Sequence, residues 1–470
     1  MSSTANTVYG GDEINAIVLD IGSYNIRIGY AGDDFPKIIT PSYYGQLSNG
    51  TKVFGEGINV PRQEPFEVKP IVEDSLIVDW DAAFELFAYY FKQLKVIDKE
   101  QPILITEPIW STNEYRTKLI ELVYEKFEFP GLYLAKVPSC VSFQQGRANC
   151  LVVDLGHESI SVTPVVDGIC LIKSSLKVPY AGKFLNLIIE DYIAKEGIVV
   201  EPSVFIKSKT ATSFPEDKEA KFELKESAPN VSDSFKQYQV ARIWHEFKES
   251  MLEVPSQEAK KLLATASASS SPDASLNTAS EFAKRSFELP TGQSITLGQE
   301  RFEMAETLFD PGFYKFHNPA LQPPASNGEI PGIEFNTINE YRPMKRMRKN
   351  EDGANGESGK IELRGVAQLV TQVISIIDID LRASLANNII VTGGTSLVTS
   401  LTERLYHELS NSNPGLKIRL HAVGNSLERI NQSWIGGSVL SSLGTFHQMW
   451  VSEKEYKEEG AERILNQRFR

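Results

Sequence analysis

Two stretches of the chain repeat one pattern, and that repeat restricts the fold more than any single segment does. Residues 16–32 read AIVLDIGSYNIRIGYAG, and residues 150–168 read CLVVDLGHESISVTPVVDG. In each, an apolar run meets an acid (Asp20, Asp154) and a glycine follows (Gly22, Gly156). A polar turn then returns the chain to alternating apolar positions. This is strand, tight turn and strand of period two: a β-hairpin. Such a turn presents consecutive backbone N–H groups as a concave anion site, and the Ser23 hydroxyl adds a donor. An aspartate ending a buried strand is placed to hold magnesium, directly or through water. Two facing hairpins predict a polyphosphate clamp with Asp20 and Asp154 on one metal, acting by positioning and electrostatics. The cleft then lies between two related lobes.

The rest of the chain fits an α/β architecture with mixed sheets. Residues 33–80 read as short strands and turns, and Phe84 to Leu94 has helical spacing. A buried strand over 102–106 leads to a helix capped by Ser111 or Thr112, with Leu119, Leu122, Val123 and Phe127 on its apolar face. After the second hairpin, Ala181 to Gly197 and Val240 to Leu252 read as helices, with an irregular polar stretch over 198–240 between them. Residues 264–280 are low-complexity, and 311–360 read as a long exposed insertion. A helix resumes at Leu363, and a strand at 388–392 runs into Gly393, Gly394 and Thr395, a turn that lets a ligand approach the backbone.

Composition excludes several classes. A net charge of −13 and a pI near 5.2 argue against wholesale nucleic-acid coating. The 3 cysteines lack metal-ligand spacing and read as reduced thiols. The opening MSSTANTVYGGDE has neither the basic nor the apolar region of a secretory signal. No run approaches the roughly 18 apolar residues of a membrane span. The expectation is a soluble intracellular protein of about three domains.

Several blocks in one order carry a resemblance: LDIGSYNIRIGYAGDDFPKIITPS, ILITEPIW, LVVDLGHESISVTPVVDG, FELPTGQSITLGQERFEMAETLFDP, DIDLRASLANNIIVTGGTS and WIGGSVLSSLGTFHQMWVSEKEY. Over nearly its full length the chain resembles actin and the actin-related proteins. The resemblance implies an actin-like fold of two duplicated mixed-sheet lobes around an ATP cleft. It implies a first lobe over 1–150 with an outer subdomain near 46–80, and a second lobe over 151–425. The second lobe's outer subdomain and insertions would span about 198–360, with 264–280 and 311–360 flexible, and 426–470 would return to the first lobe.

By matching position, Asp20, Gly22, Ser23 and Arg27 resemble the family's first phosphate loop; Arg27 stands where actins use a lysine. Asp154, Gly156 and His157 resemble the second loop. Lys248 and Glu249 resemble the adenosine-side pair, and Gly393, Gly394 and Thr395 the loop under the nucleotide. ATP and Mg2+ are the implied cofactors, with the metal on Asp20 and Asp154 through water. Two departures bear on activity. Val137 stands at the family's water-orienting glutamine and Ser161 at its catalytic histidine. Positioned proton-transfer groups contribute about 10²–10⁴ in rate, so the expectation is nucleotide binding with little or no hydrolysis and no catalytic residue. Glu158 also replaces a glycine beside the phosphates, which would weaken the grip unless it points away.

The segment from Gly45 to Trp80 is shorter than in actin, and the insertions between Val200 and Lys360 lie in the second lobe's outer part. Both argue against a homopolymer. Within the insertion, Lys345, Arg346, Arg348 and Lys349 form a basic cluster that reads as a nuclear localisation signal or a solvated charge run. CVSF, VYGGDE, EPIW and ILNQRFR look closest to the nuclear, fourth class of the actin-related proteins. That implies a nuclear subunit of histone acetyltransferase and chromatin-remodelling complexes. Its partners would be monomeric actin and the helicase-SANT-associated helix of a motor or scaffold, and the acidic surface would suit histones. The base of the lobes near Phe143 would receive partner surface. A hydrolysing superfamily ATPase and a filament-forming protein are the alternatives.

Overall fold

The computed structural model of the 470-residue chain describes residues 16–62, 66–96, 100–210, 221–225, 232–268, 282–323 and 364–469. Two sheets organise it, and they share one topology. In the first, Ile17–Ile21 pairs antiparallel with Asn25–Tyr30 and parallel with Ile103–Glu107. Ile38–Pro41 extends the hairpin side, and Gly131–Lys136 and Val451–Ser452 extend the other. In the second, Cys150–Leu155 pairs antiparallel with Ile160–Val166 and parallel with Ile389–Thr392. Ile169–Cys170 and Leu420–Ala422 close its two ends, and Leu176–Val178 pairs with Ile160–Val166. Both repeated stretches are therefore hairpins set beside a parallel strand. Central strands of this kind read as continuous apolar runs because helices cover both faces.

Each sheet has its own core. Ile17, Leu19, Ile26, Ile28, Leu86, Phe87 and Phe129 pack in the first, and Leu151, Val153, Leu155, Ile188, Phe247 and Ile389 in the second. The helix Trp80–Leu94 starts before the apolar periodicity does, because Asp79 accepts from the Ala82 N–H at 2.9 Å and caps it. Thr112 caps Asn113–Glu121, while Ser111 donates instead to Glu107. The helix Gln432–Ser442 crosses Val137–Gln144 so closely that a Cβ on Gly436 would collide with the Cys140 carbonyl. Trp434 on that helix is wholly buried and donates to the Val18 carbonyl at 3.0 Å. The C-terminal residues thus pack on the first sheet.

Three expectations need correction. The stretch over 198–240 is not simply irregular: Ile206–Thr210 and Lys221–Leu224 form an exposed ribbon, and a helix runs over Asp233–Met251 from its Ser232 cap. Its strands IKSKT and KFEL are short and carry only Ile206, Phe222 and Leu224 as apolar residues, too few for a clear period-two signal. Residues 264–268 end the helix Gln257–Ala268, while 269–280 lie outside the described residues. The exposed insertion does not begin at Pro311: Phe316 is buried and Asn318 caps a short turn over Pro319–Leu321. Residues 324–360, with the basic cluster Lys345 to Lys349, lie outside the described residues. No helix among the described residues is long and apolar enough to cross a membrane.

Candidate functional site

Strand register delivers each aspartate to the cleft. Asp20 lies across from Arg27 and beside Thr106; Asp154 lies across from Ser161 and beside Thr392. The surroundings of the two then diverge. Arg27 Nη1 donates to Asp20 Oδ2 at 2.9 Å, and Arg27 Nε donates to Asn431 Oδ1 at 2.7 Å. The Thr106 and Ser433 hydroxyls donate to the same carboxylate at 2.5 and 2.8 Å. Arg27, placed by sequence at the phosphates, is held on Asp20 here.

Among the described residues no donor reaches the Asp154 carboxylate. Thr392 turns its hydroxyl to the Arg429 carbonyl at 3.2 Å. Burial, reinforced by the Asp20 charge and only partly opposed by Arg27, raises the Asp154 carboxyl to about 6.

Beside Asp154 the backbone is stripped of side chains. Gly393 has φ +88°, and a Cβ there would collide with the Leu155 carbonyl and with Asp154 Oδ1. A Cβ on Gly394 would meet nothing within 4 Å. Thr395 Oγ1 donates to the Gly156 carbonyl at 2.7 Å, and the Lys183 N–H donates to the His157 carbonyl at 2.6 Å. Lys248 Nζ donates to the Gly182 carbonyl at 2.9 Å. Burial lowers Lys248 to about 8, against the pull of Glu249. Glu249 is largely exposed, its carboxylate 3.3 Å from His245 Nε2. Gly156, His157, Lys248 and Thr395 thus converge on the second loop and on the start of the helix Gly182–Lys195.

Ser23 has a partner that the sequence did not suggest: its Oγ accepts from the Ser75 N–H at 2.8 Å. Glu158 does not project freely toward a ligand. It accepts from the Asp74 N–H and from Lys183 Nζ. Tyr24 stacks on His245 at 4.6 Å and tilts against His157 at 5.0 Å. Burial lowers His157 to about 3 and His245 to about 4, so both rings are neutral at pH 7. Val137 opens the helix Val137–Gln144, and Ser161 is nearly buried on its strand. Neither side chain titrates.

Among the described residues no group of three or more His, Cys, Asp or Glu forms a direct metal cage. Magnesium usually keeps several waters and takes one or two carboxylates plus substrate phosphates. An uncompensated Asp154 beside an open glycine cradle fits a magnesium-bound polyphosphate. Asp20, with three donors already on it, fits only a contact through water.

The actin family model matches residues 11–470. The chain is 59% identical to actin-related protein 4 of Candida albicans, with 100% of each covered. It is 36% identical to actin-related protein 4 of Saccharomyces cerevisiae, again with 100% of each covered. It is 35% identical to that of Schizosaccharomyces pombe over 97% of each.

Proposed function

The chain belongs to the actin family, and from that premise we propose that it is a non-catalytic, ATP-holding assembly subunit of nuclear chromatin complexes. The observation that carries this reading is full-length likeness to proteins named actin-related protein 4, joined to Val137 and Ser161 at the two positions where the resemblance places the family's water-orienting glutamine and catalytic histidine. Asp154 and Asp20 would hold Mg2+ through water, and the metal would neutralise phosphate charge. Gly393 and Gly394 leave the backbone open beneath the ligand, and Lys248 and Glu249 lie on the adenosine side. Val137 can neither orient nor deprotonate a water, and the Ser161 hydroxyl is no general base at neutral pH. The ligand then serves stability: at a thousandfold excess over Kd it adds about 4 kcal/mol to a folded state that alone binds it.

Monomeric actin and the helicase-SANT-associated helix of a motor or acetyltransferase scaffold are the proposed partners, with histones a further one. Phe143 and Val439 keep exposed apolar surface on two helices packed against each other, and the exposed Ile169 lies next to Gly168, where a Cβ would meet the Phe143 ring. Such a surface suits an amphipathic helix. The reading includes nuclear residence and no self-polymerisation.

Two measurements test it. Protein purified without added nucleotide and then denatured should release ATP near one per chain, with no steady phosphate production. ADP with continuous turnover overturns the non-catalytic assignment. Tagged protein from nuclear extract should bring down actin with acetyltransferase and remodelling subunits. Recovery alone, or pelleting as a polymer in magnesium and salt, overturns the assembly role.

A further inference from the structure

The ligand cleft takes one end of the second sheet, and the other end carries chemistry of its own. Asp154 and Gly393 lie where the parallel strands Cys150–Leu155 and Ile389–Thr392 finish. Arg147, Asn387 and Asn388 precede those same strands, and Arg419 precedes the next parallel strand, Leu420–Ala422. Parallel strands share their starting end, so these residues gather on the side away from the cleft.

Leu420–Ala422 is the last strand of that sheet and pairs only with Ile389–Thr392. The Arg419 carbonyl accepts from the Ile389 N–H at 3.0 Å, and the Arg419 N–H donates to the Ala386 carbonyl at 3.1 Å. Alternation along an extended chain then turns the Ile418 and Leu420 main-chain groups outward, with no partner among the described residues. This is an open edge, a row of donors and acceptors ready to pair.

Side chains alternate there as well. Ile418 is buried in the second core and Leu420 packs against it, while Lys417 and Arg419 are exposed and His421 follows on their face. Arg147 reaches across from the start of Cys150–Leu155, its Nη1 donating to Asn388 Oδ1 at 2.6 Å. Burial, and then the Arg147 and Arg419 charges, lower the His421 imidazole. In a chain of net charge −13, neither Arg147, Lys417 nor Arg419 has an acidic partner among the described residues. Beneath them Arg147 Nε, Asn387 Oδ1 and His421 Nε2 are shielded from water without a hydrogen-bond partner. Unpaired buried polar atoms are uncommon, and together they mark a network that the chain does not complete by itself.

We propose that this edge receives an extended acidic segment of a partner protein, which adds a strand beside Leu420–Ala422 and sets carboxylates on Arg147, Lys417 and Arg419. Main-chain bonds to an open edge give such a contact its affinity, and alternate side chains give it specificity. Alternate residues of an added strand lie about 6.6 Å apart on one face, which matches the two-residue spacing of Lys417 and Arg419. Charge chooses the partner, because uncompensated bases favour carboxylates and speed encounter at low salt. A single lysine on a sheet edge wards off pairing. Three bases over unpaired buried atoms exceed that need. The site holds no nucleotide residue and uses none of the Phe143 and Val439 surface.

The test uses the full chain and a fluorescein-labelled peptide of repeated Glu-Val pairs, followed by anisotropy. The parent protein should bind it, with an affinity that falls as salt rises. Lys417→Glu combined with Arg419→Glu should weaken binding about tenfold or more. Both side chains are exposed, so the fold tolerates the change. Lys207→Glu combined with Lys209→Glu makes the same charge change on the exposed ribbon and should alter binding less than twofold. Methylating either the glutamate or the valine nitrogens of the peptide keeps every carboxylate, and one of the two sets should lose binding about tenfold. Amide hydrogen exchange should show Leu420 protected by the unmethylated peptide. No binding by the parent, or an equal loss in the ribbon control, overturns the proposal. Undiminished binding of both methylated peptides, or tighter binding of duplex DNA, overturns it too, because the bases then act as a charge patch without an added strand. If the bases only guard the edge, Lys417→Ser with Arg419→Ser makes copies of the chain associate while the parent ignores the peptide, and that result also overturns it.

Discussion

The two hairpins have one backbone plan and two electrostatic outcomes. Asp20 and Asp154 occupy corresponding places, each with a cross-strand partner on its hairpin and a threonine on the neighbouring parallel strand. The first acid faces Arg27 and collects Thr106 and Ser433 as well. The second faces Ser161, loses Thr392 to a carbonyl, and abuts a glycine. One side chain per hairpin thus divides the labour. The Arg27 side is a finished structural joint, and the Ser161 side is a half-buried carboxylate with no donor on it among the described residues.

The largest expected effects come from removing each acid, and they have opposite signs. Asp20→Ala leaves Arg27 buried without its counter-charge and should cost about 3–5 kcal/mol in denaturant unfolding. Asp154→Asn removes an uncompensated charge and should stabilise the metal-free protein, by up to about 3 kcal/mol at pH 7. The same substitution should abolish the stabilisation that added Mg2+ and ATP confer. Equal losses from both substitutions would break the comparison.

Next in size is Gly393→Ala. The positive φ and the collision with the Leu155 carbonyl should cost at least about 1–3 kcal/mol in thermal unfolding. A cost near zero would mean that the loop moves freely over Asp154.

Smaller again is the pH dependence. The native Asp154 carboxyl titrates near 6, above the ordinary value of about 3.9. Between these values the metal-free native state binds the extra proton, so its stability from this group is full below about 4 and falls as pH rises to 6. Magnesium must displace that proton. Its affinity should therefore weaken about tenfold per pH unit below 6 and be flat above it. Titration calorimetry from pH 5 to 8 checks the slope. Ser161→Lys, which gives the second hairpin a cation across from its acid, should move the break well below 6.

How much of this the sequence disclosed follows the range of the contact. The hairpins were legible because period two and a terminal acid are local, and Gly22 and Gly156 stood in the same short runs, as Gly393 stood just after its own apolar run. The actin-like fold was legible because whole blocks kept their order. What escaped were partners far along the chain. Ser433 reaches Asp20, Ser75 reaches Ser23, and Asp74 reaches Lys177, none with a periodic or compositional signal. Glu158 was flagged as an awkward charge, but only the fold reveals the Asp74 N–H and Lys183 that occupy it. The ribbon of Ile206–Thr210 and Lys221–Leu224 escaped for a different reason: a short, mostly exposed strand pair buries no face that would impose a long alternation.

The smallest expected effect on stability sharpens the comparison most cleanly. Gly394 adjoins Gly393, yet a Cβ on it would touch nothing, so Gly394→Ala should shift unfolding by no more than about 0.5 kcal/mol. If the open space there receives phosphate or adenosine, that methyl group lies in the ligand's path, and nucleotide affinity should fall severalfold while the empty protein is unchanged. The neighbouring Gly393→Ala harms the fold before any ligand arrives. Measuring unfolding without nucleotide and nucleotide affinity by calorimetry for both variants separates a glycine required by the backbone from one required by the ligand. Unchanged affinity in Gly394→Ala would move the ligand away from the second hairpin and remove the reason for its unpaired acid.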